Sequence, residues 1–187
     1  VSLTLGELTE RIDRADERGL AVSALACLDR CVPLLEYVRY EGSAGPDGGS
    51  VVDTDAALRP LWEAAEGGEA WLGRLREAAA GVVAAVGETD FGPAEVLRRA
   101  ADVPKAYEAV ELRRWAWECS QAALAVHRYL DGDRDGGPLA TGELRRQERL
   151  LDLLAGEGGG LRAVLAQSGE GKRVLRAAAS RRARRGL

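Results

Sequence analysis

The sequence predicts an all-α, single-domain bundle of seven to nine helices, with helices 2 and 6 at its centre. Three observations carry this. The 187 residues include 32 Ala and 24 Arg but one Ile and one Phe, so strong helix formers outnumber β-branched and aromatic residues. Apolar residues recur at three- and four-residue spacing over long stretches. Glycine and proline cluster between those stretches, where helices must stop.

Helix 1 is expected from Thr4, where Thr4 and Glu7 fit a capping box and Leu3 with Leu8 a hydrophobic staple, to a stop at Gly19. Leu5, Leu8, Ile12 and Ala15 give it one apolar face. Helix 2 runs from about Leu20 to Val38. Leu20, Ala24, Cys27, Leu28, Cys31, Leu35 and Val38 make a wide stripe, and only Ser23, Asp29, Arg30 and Glu36 are strongly polar, which makes this helix central. Pro33 should kink it near Asp29. Residues 39–54, with four Gly and a Pro, read as a flexible insert.

Helix 3 is expected at about Ala56–Ala65 behind an Asp55 cap, with Leu58, Leu61 and Trp62 inward; Gly67 and Gly68 break the chain. Helix 4 spans Glu69–Val86, helix 5 runs from Pro93 to about Ala101, and helix 6, the longest, from about Lys105 to Leu130. Leu112, Trp115, Ala116, Cys119, Ala123, Val126 and Leu130 form the stripe of helix 6, widened by Trp117 and Leu124. Helix 7 is placed at Thr141–Ala155, helix 8 at Leu161–Gln167 and helix 9 at Gly171 to about Arg185.

Charge is uneven. Residues 161–187 hold eight basic residues and one acid, a net of +7, so the formal −4 of the whole chain leaves −11 on the first 160 residues. A basic end at 171–187 on an acidic body is expected. No apolar run approaches the ~18 residues of a membrane span, no signal peptide opens the chain, and three cysteines are an odd number, so reduced thiols in a cytoplasmic protein are expected.

Four groups of residues are candidates for function. Asp131, Asp133, Asp135, Gly136, Leu139 and Glu143 join two predicted helices, and their order resembles the calcium loop of the EF-hand family. The resemblance implies Ca2+ on Asp131, Asp133, Asp135 and Glu143. The loop has thirteen residues against the family's twelve, carries Pro138, and has no second loop to pair with; an Asp-Gly turn explains the same residues. A pocket between helices 2 and 6, lined by Trp115, Trp117, Cys119 and His127, is the second candidate, for a small ligand or an enzyme reaction. Cys27 and Cys31, one turn apart, with Cys119 or His127 would supply three metal ligands, whereas small buried thiols filling core space explain the same pattern.

The third group is cationic: Lys172, Arg173, Arg176, Arg181 and Arg182, with an anion held at the start of helix 9 or nucleic acid as partners. No aromatic residue sits among them for base stacking, which disfavours nucleic acid. The fourth is Glu118, an acid on an otherwise apolar helix, which matters if buried. No catalytic constellation is legible. The leading expectation is a non-enzymatic interaction module that binds a partner protein or itself through Trp and Leu anchors and complementary charge.

Overall fold

A computed structural model describes residues 5–42, 54–63, 67–86, 94–132, 136–156 and 160–184. It contains eight helices and, among the described residues, no strand: α1 (Leu5–Arg14), α2 (Glu17–Gly42), α3 (Thr54–Glu63), α4 (Glu69–Val86), α5 (Ala94–Ala100), α6 (Ala109–Leu130), α7 (Pro138–Ala155) and α8 (Leu161–Arg184). The all-α bundle is as expected, and α2 and α6 form its centre. Their most extensive contact is with each other, and α2 also packs along α8. Small buried residues let these axes approach: Ala21, Ala24 and Cys27 on α2, Ala116, Cys119 and Ala123 on α6.

Several boundaries differ from expectation, each for a local reason. Helix 1 ends at Arg14 rather than Gly19, because Asp16 caps a new helix: its carboxylate accepts the Gly19 N–H at 2.7 Å and its carbonyl the Leu20 N–H at 2.9 Å. Gly19 therefore sits in the first turn of α2, not at the end of α1. At its other end α2 continues to Gly42, so residues 39–42 of the expected insert are helical.

Helix α6 starts at Ala109, four residues later than expected, because side chains take up the backbone groups of the preceding segment. Arg76 donates to the Lys105 carbonyl, and Glu111 and Glu69 accept from the Lys105 and Tyr107 N–H groups. Tyr107 then lies edge-on to Trp71, which lies edge-on to Trp115. Trp71 donates to the Leu61 carbonyl at 3.1 Å and Trp115 to the Ala100 carbonyl at 2.6 Å, tying α4 to α3 and α6 to α5. Gly67, at φ +84°, turns α3 into α4, and a Cβ there would overlap the Tyr107 hydroxyl.

Helix α7 begins at Pro138, its N1 residue, rather than Thr141. Expected helices 8 and 9 are one continuous helix, α8, running through Gly169 and Gly171. Gly171 is not a break. A Cβ at that position would overlap Cδ of Arg30 on α2, so the glycine admits a neighbour's side chain. Thr4, Pro93, residues 43–53, Asp133, Asp135 and Arg185 lie outside the described residues. No described helix is long and apolar enough to cross a membrane.

Candidate functional site

The polar residues of α2 face inward and decide what the core contains. Arg30 is fully buried and meets Glu143, also fully buried, on α7. Its Nε donates to both carboxylate oxygens at 3.0 Å and its Nη2 to Oε1 at 2.6 Å. Gln147, one turn along α7, donates to Glu143 Oε1 at 3.0 Å and accepts from the Ser120 hydroxyl at 2.6 Å. Burial alone pushes the Glu143 carboxyl up; the Arg30 charge and these hydrogen bonds outweigh it and hold it below the ordinary carboxylate range.

His127 on α6 completes the cluster. Its Nδ1 lies 2.7 Å from the Ala123 carbonyl, which can only accept, so Nδ1 carries the proton of the neutral ring. Nε2 is 3.7 Å from Glu143 Oε2. Burial holds the imidazole below its ordinary pKa against the pull of Glu143, so it is neutral near pH 7. Arg146, largely buried, brings Nη1 to 3.9 Å from the same Glu143 oxygen.

The residues expected to share a pocket have different partners. Trp115 and Cys119 both reach the Ala100 carbonyl, the thiol at 3.7 Å, and pack in the apolar core. Trp117 is half-buried at the edge of that core, and His127 belongs to the Glu143 cluster. Glu118 is half-buried. All three cysteines are buried and free; burial pushes the Cys27 thiol up to about 12 and holds Cys31 and Cys119 well above the ordinary thiol range. Such thiols are poor nucleophiles and poor anionic ligands at neutral pH. Among the described residues no group of three His, Cys, Asp or Glu is arranged to hold a metal.

Asp131 and Glu143, the two described acids of the calcium-loop candidate, are engaged separately. The Asp131 carboxylate accepts the N–H groups of Leu139 at 3.0 Å and Ala140 at 2.9 Å, capping α7 from across the turn. Gly137 leaves room for that carboxylate, where a Cβ would overlap it. Glu143 points into the core toward Arg30.

The cationic candidates are likewise divided. With α8 continuous, no helix begins at Gly171, so the free N–H groups expected to hold an anion there fall inside a helix. Lys172 turns to the buried Asp29 of α2, with Nζ 2.8 Å from Oδ1, while Ser168 donates to the other oxygen of Asp29. Arg173 pairs with Glu170 on the surface. Arg182 stacks over the Tyr129 ring at 4.3 Å and donates to its carbonyl. Arg176 and Arg181 are exposed.

One place that sequence reasoning missed is a surface groove of about 570 Å³ between α3 and the first half of α8. Trp62, Leu161 and Leu165 supply its apolar lining, and Asp29, Arg59 and Lys172 its charges. Leu165 is 39% exposed at this groove, whereas Trp62 beneath it is buried. A second groove, about 700 Å³ between α1 and α7, is lined mostly by charges that already pair, Arg11 with Asp152 and Arg14 with Glu10. No protein-family model matches the chain, and no curated protein or solved structure matches it significantly.

Proposed function

We propose that the chain is a non-catalytic helical binding module whose contact site is the groove between α3 and α8. One observation carries this reading: Leu165, Arg59 and Lys172 line an open groove over the buried Trp62, and recognition sites combine apolar and charged groups in this way. Arg30, Glu143, His127 and the thiols lie in the core, apart from the lining of this groove. Arg30 and Glu143 neutralise each other, His127 is a neutral ring bonded to backbone, and the thiols stay protonated.

The test is a thermal-shift screen of the whole chain against small carboxylates, phosphates, amines and their neutral counterparts, with light scattering for self-association. Both are repeated on Leu165→Asp, a surface change that leaves the core intact. At least one compound class should raise the unfolding midpoint, or a dimer should form, and the effect should vanish in the variant. Neither a shift nor a dimer, or effects indifferent to Leu165, would refute the assignment.

A further inference from the structure

We propose that the solvent face of α8 is a docking surface for double-stranded DNA, which it grips through phosphates on Arg162, Arg173 and Arg184. The continuity of α8 carries the inference. A break near Gly169 and Gly171 would put Arg162 on a separate helix, whereas the single helix Leu161–Arg184 brings all three arginines into phase. They stand eleven residues apart. That is close to three full turns, so the row drifts by only ~20° around the axis at each step. All three are exposed, and Arg162 and Arg184 have no ion-pair partner among the described residues. Arg173 pairs with Glu170, the single acid of α8, at 2.8 Å on the surface, and such exposed pairs contribute little in water.

Spacing selects the partner. Eleven residues rise about 16.5 Å along a helix. A line parallel to the axis of duplex DNA meets one of its two phosphate strands on average every ~17 Å, half of a ~34 Å turn. Successive arginines therefore reach successive strands, and their long side chains take up the difference between the wide and the narrow groove. Between them α8 exposes Ala166, Ala177 and Ser180, small residues that let a duplex approach closely, and Arg181 adds a charge beside Arg184.

The exposed large apolar residue of α8, Leu165, opens on the groove beside α3, so among its described residues this face has nothing to insert into a lipid surface. The lack of aromatic residues on α8 weighs against single strands, whose bases stack, and not against a duplex held by its phosphates. The row lies around the helix from Leu161, Leu165 and Lys172, so DNA binding there and occupancy of the groove stand or fall separately.

Fluorescence anisotropy of labelled duplexes of two unrelated sequences, ~20 base pairs long, titrated with the whole chain tests the proposal. Both duplexes should bind equally, because phosphate contacts carry no sequence information. The logarithm of the affinity should fall with the logarithm of salt concentration at a slope of about −3 or steeper, ~0.9 for each phosphate held. Combining Arg162→Gln, Arg173→Gln and Arg184→Gln changes three exposed positions and should leave the unfolding midpoint close to the parent's. It should weaken binding at least about tenfold and flatten the slope by about three. Glu170→Gln removes the acid beside the row and should tighten binding about threefold, a gain that mere disturbance of the fold would not produce. Duplex binding that the triple variant keeps, or no duplex binding at low salt, would overturn the proposal. So would binding of phosphatidylcholine–phosphatidylserine vesicles in place of the duplex, which would give the row to a membrane surface.

Discussion

Replacing Glu143 with Gln removes one charge from the centre of the bundle while keeping the side chain's size. Arg30 then stays fully buried without its anion, and the donor N–H2 of the new amide confronts guanidinium donors that had oxygens at 2.6 and 3.0 Å. Removing one partner of a buried ion pair costs about 3–5 kcal/mol. For a chain of this length each kcal/mol moves the thermal midpoint by roughly 2–4 °C, so a fall of roughly 6–20 °C is expected. Arg30→Met should cost a similar amount. The double variant Arg30→Met with Glu143→Leu leaves neither charge unpaired and should recover most of the loss, since apolar replacement of a whole buried pair is often neutral or stabilising. Urea unfolding of the parent, Arg30→Met, Glu143→Leu and the double variant closes a double-mutant cycle. A Glu143→Gln cost below ~1 kcal/mol, typical of an exposed pair, would refute the burial and pairing argued above, as would simple additivity in the cycle.

Acid should find the same cluster in two stages. The folded pKa of His127 lies below its ordinary value of 6.5, so its contribution is complete above pH 6.5 and is lost as the pH falls below it, when the unfolded chain takes a proton the buried ring refuses. Glu143 is also held below its ordinary value of 4.5, and its contribution is lost only at lower pH, as the carboxyl protonates. His127→Gln should therefore flatten stability between about pH 6.5 and 4.5, measured by urea midpoints, and an unchanged slope there would count against a neutral His127. Gly171→Ala should destabilise by roughly 1–3 kcal/mol through overlap with Arg30; a gain, as ordinary helix propensity dictates, would mean that α2 and α8 pack less closely. Asp131→Ala should cost about 0.5–2 kcal/mol by uncapping α7, and millimolar calcium should leave the parent's midpoint unchanged; a calcium-dependent rise lost in Asp131→Ala would restore the cation-loop reading.

What the sequence reveals about this fold depends on whether a residue's partner is near in the chain. The limits of α4, Glu69–Val86, are readable because Gly67-Gly68 precedes them and an apolar stripe fills them. The Leu112–Val126 stripe likewise gives the buried side of α6. The paucity of polar residues on α2 signals a central helix, and the same observation carries a further consequence. An Arg and an Asp on a helix whose residues 19–31 are buried on all sides cannot remain solvated, so each demands a counter-charge from elsewhere. For Arg30 that is Glu143, 113 residues away, and for Asp29 it is Lys172 with Ser168, the latter 139 residues away. Local spacing instead assigns Glu143 to a loop beside Asp131 and breaks the chain at Gly171, because a glycine that admits Arg30 from another helix looks, in one dimension, like a glycine that ends its own. The groove is hidden for the same reason: Arg59 on α3 and Leu165 and Lys172 on α8 are far apart in the chain, and only the fold brings them to one opening over the buried Trp62.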